Sequence, residues 1–257
     1  GQNLAIVSDI EGTTTDPVIK SMELLPLGPV VVIDTPGLDD VGELGALRIR
    51  KAYQMLNKTD IALLIIDSGY GVTDEDLRIL KQIQKKNIPF VIISSRSASC
   101  IYPILKKHHF QCPIVACGGA WIEDMNGRIL SNEGMSRQTA ATVIEFMTEK
   151  NFDLAWGIYS GKNWITNDRT DARILHEESV VEVESVEGTV ALLPDDAVVN
   201  KILCMCNPAC ILQIEEDLKE AFPTLSIVKS SSYLLEIMPA GMNKAKGIRK
   251  FCEIFGI

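Results

Sequence analysis

An α/β fold, with a Rossmann-like, mostly parallel sheet as its core and a second α/β module inserted into it, is what these 257 residues predict. Three observations carry that expectation. Short apolar runs rich in β-branched residues, Val30 to Ile33, Ile61 to Ile66 and Val91 to Ile93, have the texture of strands buried on both faces. Segments of helical spacing separate them, and strands alternating with helices build a parallel sheet joined by right-handed crossovers. From Phe152 onward the strand-like runs crowd together, which marks a compact module of its own.

Taken in order, Leu4 to Val7 begins apolar and runs into the small-polar loop Gly12-Thr13-Thr14-Thr15-Asp16-Pro17. Residues 19–25 alternate as an edge strand does, and Pro29 to Ile33 is a buried strand ending in Asp34 and the tight turn at Gly37. A helix is expected over 44–56, a strand over 61–67 ending in Asp67, a helix over 74–86 and a strand over 90–93. Ser94-Ser95-Arg96 then turns into the next helix, at the strand end where open α/β sheets bind ligands. Ser94 has two readings there: the N-cap of that helix, or a hydroxyl that binds phosphate.

Beyond it come a helix over 101–108, a buried strand over 112–120 ending in its glycines Gly118-Gly119, and a hairpin turning at Asn126-Gly127. Ser136 is placed as the N-cap of a helix reaching residue 150. Strands are expected at 154–159, 164–166, 199–206, 225–228 and 233–238, with helices at 172–178 and 211–221. The core is assigned to residues 1–130 plus 239–257, and the inserted module to residues 131–238.

A formal net charge of −9 argues against nucleic acid or an anionic membrane as partner, because phosphate backbones need clustered Lys and Arg. A small phosphorylated metabolite needs only a local pocket and remains compatible. The apolar runs are of strand length and no basic, then apolar, leader opens the sequence, so a cytoplasmic location is expected. Seven cysteines without framework spacing read as reduced thiols. Cys204-x-Cys206-x3-Cys210 has soft-metal spacing, but Lys201 to Cys206 reads better as a strand, and no His pair accompanies it.

Thr13-Thr14-Thr15-Asp16-Pro17 followed by Asp34-Thr35-Pro36-Gly37-Leu38-Asp39-Asp40 resembles the GTPase domain of the [FeFe]-hydrogenase maturation GTPases, relatives of the tRNA-modifying and Era-type GTPases. The likeness covers residues 1–90. It implies that Thr13, Thr14 and Thr15 form the switch I element that reaches Mg²⁺, and that Asp34 and Gly37 lie near the γ-phosphate with Asp34 as metal ligand. Two GTPase elements are missing from these residues: no Gly-x4-Gly-Lys-Ser/Thr occurs, and Ser94 to Ser97 stand where Asn-Lys-x-Asp is expected.

Ser94-Ser95-Arg96, Gly118-Gly119-Ala120-Trp121-Ile122 with Asn126 to Ile129, Asn200-Lys201-Ile202-Leu203, and Tyr233 to Pro239 leading into Asn243-Lys244 resemble the Cof-type branch of the haloacid dehalogenase (HAD) superfamily. These are phosphatases of small phospho-metabolites with a type IIB α/β cap, and the likeness covers residues 89–257. It implies Ser94 as phosphate-binding hydroxyl, Lys244 as phosphate-binding cation, and Ser95 and Arg96 beside the phosphate. Asp67 is the nucleophile candidate, with Gly69 where the acid/base carboxyl belongs. A rival nucleophile is Asp9, in Asp9-Ile10-Glu11-Gly12-Thr13, which resembles the enolase-phosphatase motif. The family's late acidic pair for Mg²⁺ is expected to follow Gly256-Ile257.

The expectation is therefore a recombined chain without efficient catalysis. The alternatives are a Mg²⁺-dependent phosphatase of small phosphate esters and a GTPase-derived interaction module. An uncovered sheet edge also suggests a homodimer.

Overall fold

The computed structural model describes residues 17–24, 28–35, 49–51, 53–56, 59, 64, 73–85 and 90–256. The chain divides into two units, Gly1–Pro89 and Phe90–Ile257.

In the first unit, β1 (Val18–Leu24) and β2 (Gly28–Asp34) form an antiparallel ribbon in register from Val18 opposite Asp34 to Leu24 opposite Gly28. A connection this short permits only antiparallel pairing. Residues 49–51 and 53–56 are helical, within the span expected for a helix. Helix α1 (Asp74–Lys85) starts where Thr73 and Asp76 cap each other: the Thr73 amide and hydroxyl donate to Asp76 Oδ2, both at 2.9 Å, and the Asp76 amide donates back to Thr73 Oγ1 at 3.2 Å. Ile79 and Ile83, four residues apart on one face of α1, are buried. The strand expected over 61–67 falls largely outside the described residues.

The second unit is α/β with mixed sheets. Strand β3 (Ile92–Ile93) is followed by α2 (Ala98–His108), β4 (Ile114–Ala116), a 3₁₀ turn at Cys117–Gly119, β5 (Trp121–Glu123) and β6 (Ile129–Asn132). The four strands lie in sequence order. Helix α2 spans the crossover that makes β3 and β4 parallel, whereas the short links after β4 and β5 impose antiparallel pairs. The β5–β6 hairpin turns at Asn126-Gly127, where Gly127 has φ +81° and its amide donates to the Asp124 carbonyl.

After β7 (Met135–Ser136), Ser136 caps α3 (Arg137–Glu149) by accepting from the Thr139 amide. There follow β8 (Leu154–Ser160), β9 (Asn163–Thr166), α4 (Ala172–Val181), β10 (Val186–Glu187), β11 (Val198–Val199) and β12 (Lys201–Cys206). The chain closes with α5 (Ile211–Ala221), β13 (Ser226–Lys229), β14 (Leu234–Met238) and α6 (Lys244–Phe255). Six of these strands form one sheet in the order β10-β9-β8-β12-β14-β13, and β11 pairs with β7.

One face of the six-stranded sheet packs Ile158, Ile202, Cys204, Leu235 and Ile237 against Val143 and Met147 of α3 and Ile214 and Leu218 of α5. The other face packs Tyr159, Trp164 and Leu203 against Cys100 of α2 and Val181 of α4, with Met205 against Ile174 beside them. Cover on both faces is why β12 reads as an unbroken apolar run behind its first residue. Cys204 and Cys206 belong to that core, and all seven cysteines are free thiols.

Candidate phosphate-binding site

The site is built at the C-terminal ends of β3 and β4. The Ser94 amide continues the β3–β4 ladder by donating to the Val115 carbonyl at 2.9 Å, and the Ser94 carbonyl accepts from the Gly118 amide at 3.0 Å. Ser94 Oγ accepts from the Arg96 amide at 3.1 Å, and the Arg96 carbonyl accepts from the Cys117 amide at 2.8 Å. These bonds lash the Ser94-Ser95-Arg96 turn to the Cys117-Gly118-Gly119 turn. The N-cap of α2 is Ser97, whose Oγ accepts from the Cys100 amide, so the capping reading of Ser94 is overturned. The helix starts one turn earlier than residue 101, and Ser97 takes the capping place.

The second turn also carries the start of α6. A Cβ on Gly119, whose φ is +111°, would lie 2.6 Å from the Asn243 carbonyl oxygen, and one on Gly247 would lie 2.4 Å from Gly119 Cα. Only two facing glycines allow this approach. Asn243 caps α6 by accepting from the Lys246 amide at 2.9 Å, which makes Lys244 the first helical residue. Ser94 and Lys244 thus flank a single two-glycine turn. Lys246 pairs with Glu133 at 2.9 Å and Lys250 binds the other oxygen of the same carboxylate. Those two cations hold the Glu133 carboxyl below its usual range. Lys244 is exposed, and among the described residues it has no ion-pair partner.

Of the residues singled out in the sequence, Ser94, Ser95 and Arg96 share one turn, and the Gly118-Gly119 turn bonded to it also packs on the start of α6, where Lys244 stands. Asp34 ends β2 in the other unit and is exposed. Asp9, Thr13, Thr14, Thr15, Gly37 and Asp67 lie outside the described residues.

Three residues of the neighbourhood carried no site assignment from the sequence. Lys201, 4% exposed at the head of β12, donates to the Ser95 carbonyl at 2.9 Å, lies 3.6 Å from Glu236 Oε1 and sits 5.1 Å above the Tyr159 ring. Glu236 is buried in β14. Glu177 of α4 is buried too, and burial pushes its carboxyl up, against the pull of Lys201, Arg96 and His176. For Lys201 and Glu236 the signal was a lone charge heading or within an apolar run, since a buried charge needs a partner, whereas Glu177 beside Glu178 carried no such signal. Burial raises the Cys100 and Cys117 thiols as well, Cys117 to about 12, so these two stay protonated and are poor nucleophiles.

Mg²⁺ is general among HAD hydrolases. Among the described residues no three His, Cys, Asp or Glu groups converge as a metal site, so these residues do not by themselves fit the ion. No described helix is long and apolar enough to cross a membrane.

Residues 63–257 match the family of haloacid dehalogenase-like hydrolases. The chain belongs to that family. Residues 1–96 match a second family, the 50S ribosome-binding GTPases, so one chain carries both likenesses and they overlap over 63–96, across α1 and β3. A tRNA modification GTPase of Nitrosomonas europaea is 29% identical over 144 residues, 54% of this chain and 32% of that protein. A Haemophilus influenzae protein named as a phosphatase is 28% identical over 197 residues, 75% of this chain and 72% of that one. The chain therefore spans about a third of the GTPase and about seven-tenths of the phosphatase. In fold, a haloacid dehalogenase-like hydrolase from Bacteroides thetaiotaomicron superposes with a TM-score of 0.63 at 19% identity, covering 74% of this chain and 73% of that one.

Proposed function

We propose that the Ser94 turn and Lys244 hold the phosphoryl group of a small phosphate ester, and that the protein hydrolyses it as a HAD-type phosphatase. The observation that carries the reading is the state of Lys244. A cation at the first position of a helix faces the positive end of the helix dipole, and Lys246 and Lys250 already share the Glu133 carboxylate. An incoming anion is what such a lysine lacks. Ser94, released from capping by Ser97, supplies a hydroxyl on the other side of the Gly118-Gly119 turn. Phosphoryl transfer depends chiefly on positioning and on stabilising charge on the phosphoryl oxygens, and these groups meet both needs.

In this reading a carboxylate oxygen attacks phosphorus, and the sequence offers Asp67 or Asp9 as its source. The ester P–O bond breaks, the alcohol leaves with a proton from solvent, and water then cleaves the acyl phosphate to orthophosphate. A cytoplasmic setting and Mg²⁺ as cofactor go with this reading. A second reading, ester binding with little turnover in a recombined chain, is favoured by Gly69, which has no carboxyl to protonate the leaving group.

Hydrolysis of p-nitrophenyl phosphate with Mg²⁺ tests the proposal. Lys244→Ala is expected to lower kcat/KM roughly 100-fold, the usual cost of removing one oxyanion-stabilising group. Unchanged turnover in Lys244→Ala would overturn the assignment. Orthophosphate binding without turnover in the wild type would select the second reading.

A further inference from the structure

The contact between β12 and the Ser94 turn assigns a role to Lys201. We propose that Lys201 is a positioning residue that sets the Ser94 hydroxyl through the Ser95–Arg96 peptide, so that seating of the six-stranded module tunes the phosphate site. The inference rests on the reading of that turn as a phosphate holder.

The geometry is specific. One peptide unit comprises the Ser95 carbonyl and the Arg96 amide. Its oxygen accepts from Lys201 Nζ at 2.9 Å, and its N–H donates to Ser94 Oγ at 3.1 Å. A peptide is planar, so a bond that fixes the oxygen also fixes the direction of the N–H. A cationic donor on the carbonyl polarises the amide and strengthens the bond it gives. Ser94 Oγ, held as an acceptor, is left with its own proton to donate to a phosphoryl oxygen.

Lys201 is itself fixed from three sides, by the Ser95 carbonyl, Glu236 and the face of Tyr159. The residue before it is also a junction. Asn200 is fully buried, and its Nδ2 donates at 2.7 Å to both Asn132 Oδ1 and the Glu133 carbonyl, while its Oδ1 accepts from the Gly161 amide at 2.7 Å. Two adjacent side chains at the head of β12 thus hold the chain entering the module and the turn that carries Ser94. A shift of β12 is transmitted to Oγ through one rigid peptide.

The test is a double-mutant cycle on orthophosphate binding, measured calorimetrically with the full chain. Lys201→Met is expected to weaken phosphate binding roughly tenfold in the wild type and less than about twofold in Ser94→Ala, because the lysine acts through that hydroxyl. Removing Lys201 alone leaves Glu236 buried without its cation, so if that variant does not fold the same cycle is run with Lys201→Met/Glu236→Gln. Equal weakening in both backgrounds, or none in a folded variant, overturns the positioning role. A wild type that binds no orthophosphate fails the phosphate reading itself, an outcome distinct from either.

Discussion

Strand β2 reads Gly-Pro-Val-Val-Val-Ile-Asp and β12 reads Lys-Ile-Leu-Cys-Met-Cys, yet Val31 and Val32 are 59% and 44% exposed while no residue of β12 exceeds 4%. The difference lies in what flanks them. β12 pairs with β8 and β14 and has helices over both faces, whereas β2 pairs among the described residues with β1 alone. An apolar, β-branched run specifies an extended strand, but it stabilises a fold only through the area its neighbours remove from water. Ile202→Ala is accordingly expected to cost roughly 4 kcal/mol and Val31→Ala less than about 0.5 kcal/mol, in urea unfolding followed by circular dichroism. Comparable losses would break the contrast.

The glycine pair between β4 and α6 gives the next largest effect. In Gly119→Ala a methyl group meets the Asn243 carbonyl at 2.6 Å with the backbone at φ +111°, so strain and overpacking act together. Roughly 3 kcal/mol of destabilisation is expected. Tryptophan fluorescence isolates it, because Trp121, Trp156 and Trp164, all three tryptophans of the chain, lie in the second unit. A loss below about 1 kcal/mol would mean that the turn and α6 separate easily, and the tie between Ser94 and Lys244 would weaken with them.

The same contrast explains what was legible in the sequence. Elements with strong local signals were readable: the Asn126-Gly127 turn, the Ser136 cap, and α5 with its apolar face at Ile211, Ile214 and Leu218. Ser94 and Lys244 stand out in the sequence because their motifs carry a family likeness. The start of α2 was not, because Ser94, Ser95, Ser97 and Ser99 offer the same capping chemistry and only tertiary bonds choose among them. Lys201 and Glu236 were missed because each looks like an isolated charge until β12 and β14 meet, and Glu177 because nothing distinguishes it from Glu178 until α4 packs.

Ser97 and Ser94 separate a cap from a site at lower cost. Ser97→Ala is expected to destabilise the second unit by about 1 kcal/mol, since the Cys100 amide loses its side-chain acceptor and keeps only the Ser97 carbonyl. Ser94→Ala is expected to change stability by less than about 0.5 kcal/mol while weakening orthophosphate binding. If the two effects were exchanged, Ser94 would be the cap after all and the phosphate reading would lose its hydroxyl.

The smallest effect concerns Glu177, whose carboxyl is raised mainly by burial. A raised carboxyl binds its proton more tightly folded than unfolded, so its stabilisation is full below the unfolded value of about 4.3 and is lost as pH rises through the folded value. Glu177→Gln removes that loss. The melting temperature at pH 7 is expected to rise by roughly 2–4 °C, about 1 kcal/mol for a unit of this size, with the gain shrinking toward pH 4. Lys201 and Arg96 already offset part of the penalty, which keeps the gain small. Glu133 has the opposite sign: its lowered carboxyl stabilises above the unfolded value, and that contribution is lost as pH falls. A Glu177→Gln gain that did not vary with pH would show that packing, rather than ionisation, sets the cost of this carboxyl beside the Ser94 turn.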